Sequence, residues 1–216
     1  AVEGIIAHTG AETITRHLLA AGADPDTAGE VVIPKYAPEK SPSRLSVRHH
    51  PNQRLLGLLA ERAVLVEDDP SLIDTYTQAV LKLLDVLLEH GADPNAPVGS
   101  IQLSDRKASA LTAMLQSIKN KRFSGRVCSP EPVIRLLTAG AEMTEDAAKF
   151  ATWIANGQAS RNVGSDRRFD PRVLRERAVQ ARERDMAAQG NGALAASDDD
   201  STDGDTEPPS PGPAAF

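Results

Sequence analysis

LLDVLLEHGADPN, residues 83–95, decides how this chain is read, because two relatives of it recur with their spacing intact. Residues 14–26 read ITRHLLAAGADPD and residues 132–144 read PVIRLLTAGAEMT. In each, a Leu pair stands just before a Gly: Leu18-Leu19 before Gly22, Leu87-Leu88 before Gly91, and Leu136-Leu137 before Gly140. Such a pair is the buried end of an amphipathic helix, and glycine, lacking a Cβ, can take the left-handed conformation that ends it. The Ala-Asp-Pro that follows in the first two copies turns the chain away from the helix axis.

Composition narrows the class. Of 216 residues 40% are hydrophobic, enough for one ordinary domain with some loose sequence. Aromatics are only 3%, low for an enzyme pocket or a β-sandwich core, so Leu and Ala carry the packing, as helix-on-helix contact requires. The single Cys128 excludes an intramolecular disulfide, and one Cys with scattered histidines does not make a metal site. No stretch approaches the roughly 18 to 20 apolar residues of a membrane span, and no signal peptide is visible. These features predict an intracellular protein, in cytoplasm or nucleus. The missing initiator Met suggests a piece of a longer product. The net charge of −6 is concentrated in residues 190–216, which hold six acids and no Lys or Arg, while the preceding 189 residues balance 24 acids against 24 bases. That Gly, Ala, Ser, Asp and Pro-rich tail buries too little apolar surface to order itself and is expected to be disordered.

The three glycine-ended segments resemble the second helix and turn of the ankyrin repeat, a helix–turn–helix unit of about 33 residues. The family pattern opens its first helix with T-P-L-H, places a Gly near the turn, and closes with the Leu pair and G-A-D. Laid on this sequence, it puts a repeat boundary at Ala1, Gly10 at a turn, and Ile14, Leu18 and Leu19 facing inward. It predicts helices over 71–78 and 80–89 with Tyr76 near the turn between them. A decayed unit lies between, opening at Ser43-Arg44-Leu45-Ser46-Val47 and closing over 55–67, with Ala63 in place of the capping Gly and Leu65 in place of the Asp. A fourth unit opens at Ser109-Ala110-Leu111-Thr112-Ala113 and carries an inserted loop at 119–129 before its Gly140. A fifth follows at 145–156 with Trp153, then a polar capping helix at 171–188. The fold expected is therefore all-α: an ankyrin-like solenoid of about five degenerate repeats over 1–157, a loop and capping helix over 158–189, and the tail. An unrelated α-hairpin solenoid sharing L-L-x-x-G is the rival architecture.

Candidate chemistry is sparse. His49 and His50 are adjacent, and neighbours do not point to the same place, so a solvated turn between helices is the simpler account than a metal or base site. His17 and His90 fall near helix C-termini, where an imidazolium suits the dipole, and His8 is isolated. Cys128 has no His at a readable catalytic distance. The common phosphate, dinucleotide, hydrolase and zinc-protease motifs are missing, and Asp198-Asp199-Asp200 lacks the glycine turn of a calcium loop. No catalytic residue, cofactor or metal ligand is assigned.

The resemblance implies a non-catalytic protein-interaction or scaffold module, monomeric, with another protein as partner. The alternative is the regulatory or targeting region of a larger enzyme or receptor whose catalytic part lies upstream. Family partners engage the turn tips and the exposed faces of first helices, here 23–42, 64–69, 92–107 and the outward side of 109–118. Asp105, Arg106, Lys107, Arg122 and Phe123 are the candidate binding residues, the last two from the loop Lys119-Asn120-Lys121-Arg122-Phe123. That loop and the Arg-rich capping helix also raise nucleic-acid binding. A balanced folded region and alternating Arg and Glu on the helix argue against it. No membrane association is expected.

Overall fold

The computed structural model describes residues 10–35, 46–62, 70–98, 108–122, 128–157 and 164–195. The chain divides into two compact units, Ala1–Gln180 and Ala181–Phe216. The described elements in chain order are α1 (Gly10–Ala20), β1 (Gly29–Lys35), β2 (Ser46–Gln53), α2 (Leu55–Arg62), α3 (Pro70–Glu89), α4 (Ala110–Arg122), α5 (Glu131–Thr138), α6 (Glu145–Asn156), a 3-10 turn (Arg167–Phe169) and α7 (Pro171–Ala195). Among the described side chains, the buried apolar ones sit on these helices and on the short segments joining them.

Helix α3 corrects the expected division into 71–78 and 80–89. Pro70 occupies the first helical position, which needs no N–H, and no Gly or Pro interrupts the helix after it. Tyr76, Val80, Leu83, Leu84 and Leu87 recur every three to four residues and are all buried, so one continuous apolar stripe holds one continuous helix. With no turn at Tyr76, α3 becomes the partner of α2, and the two units expected at 43–67 and 70–91 merge into one helical pair.

In the first unit the helices lie in two rows. Helices α2, α4 and α6 pack side by side; α1, α3 and α5 pack side by side; α2 also touches α3, and α4 touches α5. Each neighbouring pair of the second row is bridged by ions, Arg16 to Glu89 at 3.3 Å and Arg135 to Asp85, and Arg177 of α7 continues the series to Glu131 of α5 at 2.6 Å. All of these groups are about a third or more exposed, so each pair is worth only a fraction of a kcal/mol and acts more on alignment than on stability.

Every second-row helix that meets a glycine ends the same way. Gly22, Gly91 and Gly140 have φ of 93°, 87° and 97°. Around each, the glycine N–H donates to the carbonyl of Leu19, Leu88 or Leu137, and the following alanine N–H to Leu18, Leu87 or Leu136, at 2.9 to 3.1 Å. These paired bonds satisfy carbonyls that a helix end otherwise leaves open.

Between α1 and α2 the chain forms a two-stranded antiparallel ribbon, with Val31 opposite His50, Val32 opposite His49, Ile33 opposite Arg48 and a register shift between Gly29 and Val31. The expected helix opening at 43–47 is therefore replaced, at Ser46 and Val47, by strand; 43–45 lie outside the described residues. Three consecutive β-branched residues, Val31-Val32-Ile33, favour the extended form. His49 and His50 sit in this strand rather than in a turn.

The first helix departs from expectation in a second way. Ile14 and Leu18 stand at the same repeat positions as Leu83 and Leu87, or Pro132 and Leu136. Leu83, Leu87 and Leu136 are 9%, 1% and 0% exposed, and Pro132 is buried. Ile14 and Leu18 are 62% and 58% exposed, and only Leu19 of the predicted inward trio is buried. The buried equivalents lie on helices that touch a first-row partner, α2 for α3 and α4 for α5. Among the described residues α1 has none. Gly10, expected at a turn, begins the helix.

Helix α4 is enclosed. From 108 to 118 every residue except Gln116 is buried. Leu111, Met114, Leu115 and Ile118 form the apolar stripe, while Ser117 Oγ donates to the Glu61 carbonyl of α2 at 2.7 Å. Thr112 and Thr144 share a hydroxyl contact of 3.2 Å, and Thr144 also caps α6 by accepting from Ala147 N. The outward side of 109–118, expected to be free for a partner, is thus largely occupied.

Helix α6 matches its expected bounds. Helix α7 extends to Ala195 rather than 188, so residues 190–195 are helical instead of tail; Ala and Gln support it, and no Pro occurs between Pro171 and Pro208. In the second unit the side chains of 182–188 are exposed. Residues 196–216, where disorder is expected, lie outside the described residues.

Candidate protein-interaction surface

Two places in the first unit bring polar or aromatic groups together on a surface. The first is the row of turns. In residues 22–26 and 91–95, Asp24 Oδ1 accepts from Asp26 N at 2.9 Å and Asp93 Oδ1 from Asn95 N at 2.8 Å, two copies of the same side-chain-to-backbone turn. The turns are then joined sideways. Asp26 Oδ2 accepts from Asp93 N at 2.9 Å, and at the equivalent position of the next turn Asn95 Oδ1 accepts from Glu142 N at 2.7 Å while its Nδ2 donates to the Gly140 carbonyl at 3.0 Å. Asp26 Oδ1 is 3.5 Å from Arg54 Nη1, an ion pair without hydrogen-bond alignment. Asp24, Asp93, Asn95 and Glu142 remain exposed, so the row shows acidic groups on a backbone fixed by its own bonds.

The second place is the flank between α4 and α6. Lys119 Nζ stands 5.0 Å from the centroid of the Phe150 ring and 5.5 Å from that of Trp153. Phe150 and Trp153 are three residues apart on α6 and so share a side of that helix, and all three side chains are half-buried. The ring faces are electron-rich, and each such contact is worth about 0.5–1 kcal/mol at a partly exposed site. One turn before Lys119, Gln116 Oε1 is buried without a hydrogen-bond partner, and Asn120, next to Lys119, is exposed. No carboxylate among the described residues pairs with Lys119. The acids at the start of α6 are engaged by Lys149, Glu145 at 2.9 Å and Asp146 at 3.5 Å. That pairing holds the Glu145 carboxyl below its usual range through a hydrogen bond and the charge of Lys149.

Of the binding residues expected from sequence, Asp105, Arg106, Lys107 and Phe123 lie outside the described residues, and so do 64–69. Arg122 closes α4, with its side chain also outside the description. Lys119, expected in a loop, is helical. Sequence reasoning misses Phe150 and Trp153 as a pair. In a chain with one Trp, two Tyr and four Phe, two aromatics at helical spacing are the available signal. Within 92–107, Ala92, Ala96 and Val98 are buried, leaving Asp93, Asn95 and Pro97 exposed among those described.

The remaining candidates are structural. His90 Nδ1 donates to the Val86 carbonyl at 2.8 Å, capping α3. Cys128 is buried, and its carbonyl accepts from Arg168 Nη2 at 3.4 Å. Arg168 also binds Asp166 through Nε and Nη2, both 2.9 Å, closing the corner before α7. Among the described residues no three His, Cys, Asp or Glu side chains are placed to hold a metal ion, and no helix is long and apolar enough to cross a membrane.

Comparison with protein-family models, with curated proteins and with solved structures finds no match for this chain.

Proposed function

We propose that this chain is a non-catalytic protein-interaction module built of ankyrin-like repeats, acting as a monomer on another protein. The observation that carries the reading is the turn row. Three glycine turns of one geometry stand at matching sequence positions, and the side chains at one repeat position, Asp26 and Asn95, tie each turn to the next. Rows of paired helices behind such turns support the same reading, because units of this size hide their apolar stripes only against neighbours. An array of this kind gives a stable frame with variable outer side chains, the property a recognition surface needs. The accessible candidates are the turn tips and the flank carrying Lys119, Phe150 and Trp153. No cofactor enters the proposal.

The test places a photo-crosslinking phenylalanine analogue at Asp146, exposed on the side of α6 that carries Phe150 and Trp153, or at Lys82, exposed on α3, in the full chain mixed with cell extract. A discrete protein adduct from position 146 and not from 82 is the expected result. Adducts of equal yield from both positions, or none, would overturn the reading, and a nuclease-sensitive adduct would replace it with nucleic-acid binding.

A further inference from the structure

Independently of any partner, we infer that Asn156-Gly157 is a self-modification site: the Gly157 nitrogen closes on the Asn156 side chain to form a cyclic imide, and hydrolysis leaves an isoaspartate carboxylate at the end of α6.

The reacting atoms are neighbours at a place that can move. Asn156 is the last residue of α6, its side chain is exposed, and among the described residues no hydrogen bond holds that side chain. Gly157 follows with φ of 69°, a conformation glycine takes freely, and it has no Cβ to obstruct closure onto the residue before it. Its N–H donates to the Trp153 carbonyl at 3.1 Å, so turning the nitrogen toward Asn156 Cγ breaks that one cap bond and leaves the preceding turns of the helix in place. The Gly157 nitrogen gives its proton to solvent base and bonds to Cγ, while the side-chain amide nitrogen takes a proton from water and leaves as ammonia. One water then opens the imide at either carbonyl, giving isoaspartate or aspartate. Water is the sole co-reactant.

The other asparagines show how the fold selects this one. Of six, only Asn156 and Asn191 precede a glycine. Asn191-Gly192 lies inside α7, which runs on to Ala195, so the same movement there also disrupts the bonds of residues 192–195. Each further backbone bond broken slows closure by about fivefold. Asn95 is held at both ends of its amide, Oδ1 accepting from Glu142 N at 2.7 Å and Nδ2 donating to the Gly140 carbonyl at 3.0 Å, and the residue after it is Ala96. The product has a structural consequence. A carboxylate at position 156 meets the negative end of the α6 dipole, where a neutral amide now stands, and isoaspartate also inserts a methylene into the backbone just before the cap. Both loosen the end of the helix that carries Phe150 and Trp153.

The experiment incubates the full chain in mildly alkaline buffer, folded or in concentrated urea. Trypsin then places Asn156 in residues 150–161 and Asn191 in residues 185–216, and mass spectrometry follows the exchange of amide for acid in each. In the folded chain 150–161 should convert about fivefold faster than 185–216, or more, and in urea the two should convert at about equal rates. Isoaspartate should exceed aspartate, read as methyl transfer from S-adenosylmethionine by an isoaspartyl methyltransferase. Asn156→Gln, whose ring would need a sixth member, should bring 150–161 to baseline, with circular dichroism confirming that the variant is folded. Asn156→Asp should melt about 1–4 °C below the parent. A peptide 150–161 that keeps its amide in the folded chain but loses it in urea would overturn the inference. So would conversion of 185–216 as fast as 150–161 in the folded chain, a ratio in urea as large as in the folded chain, or aspartate without isoaspartate. A parent-like melt for Asn156→Asp would overturn the loosening of α6.

Discussion

Leu87→Ala and Leu18→Ala change the same residue at the same repeat position, yet the structure sets very different costs for them. Leu87 is 1% exposed, in the interior of the helical core, and its truncation leaves a cavity that enclosed neighbours cannot close. A loss of roughly 2–5 kcal/mol follows. Leu18 is 58% exposed, so water already occupies much of the space around it and its truncation should cost no more than about 0.5–1 kcal/mol. For a folded region of 150–250 residues, each kcal/mol moves the melting midpoint by about 2–4 °C. Leu87→Ala should therefore melt about 4–20 °C below the parent and Leu18→Ala within about 4 °C of it. Urea denaturation followed by circular dichroism at 222 nm gives the free energies directly, with the slope checked for equality among the three proteins. Equal losses for the two variants would refute the assignment of α1 as a helix with no first-row partner among the described residues. A Leu87→Ala melt coincident with the parent would refute the two-row packing itself.

Three further outcomes follow from local geometry. Asn95→Ala removes both bonds to the next turn and should cost about 1–2 kcal/mol, while Asn95→Asp keeps the acceptor for Glu142 N and should lose roughly half as much in the same urea assay. Gly57→Ala should be far worse than Gly91→Ala: a Cβ on Gly57 would come within 2.4 Å of Val98 Cβ and 2.9 Å of its carbonyl, whereas one on Gly91 meets nothing and suffers only the left-handed backbone, about 1 kcal/mol; soluble yield and melting temperature separate the two. The Glu145 carboxyl, held low by Lys149, contributes stability above the unfolded-state pKa near 4.5 and loses it as pH falls through the lower folded value. A carboxyl-carbon NMR titration should place its midpoint below 4.5 in the parent and back near that value in Lys149→Met.

The turns are legible in the sequence because their physics is local. A Gly four residues after a Leu, followed by Ala and an acid, specifies a left-handed cap whatever lies beyond, and Gly22, Gly91 and Gly140 all adopt it. Helix α6 is legible to the residue because Thr144 caps its start and Gly157 its end. Helix α3 is misread because a count between landmarks assumes equal spacing, whereas the uninterrupted run from Ser71 to Glu89 carries no instruction to turn. Fitting residues 43–47 to a helix opening hides the ribbon of 29–53, although Val31-Val32-Ile33 points to an extended strand. Exposure at Ile14 and Leu18 cannot be read locally, since their apolar spacing matches that of buried equivalents and what differs, among the described residues, is the neighbouring helix. Lys119 reads as loop because the cationic run after it resembles one, and its ring partners lie about thirty residues away in sequence, beyond the reach of any helical periodicity.

The enclosure of α4 bears on how this protein opens. A helix pressed on by α2, α5 and α6 cannot exchange its amide hydrogens by fraying alone, since exposing any one side means displacing a neighbour. Its slowest amides, at Leu111, Met114 and Leu115, should exchange only through global unfolding, while those of α1 exchange through openings that leave the rest intact. The chain would then behave less like a zipper peeling from both ends than like a clasp, in which one central segment sets the lifetime of the whole.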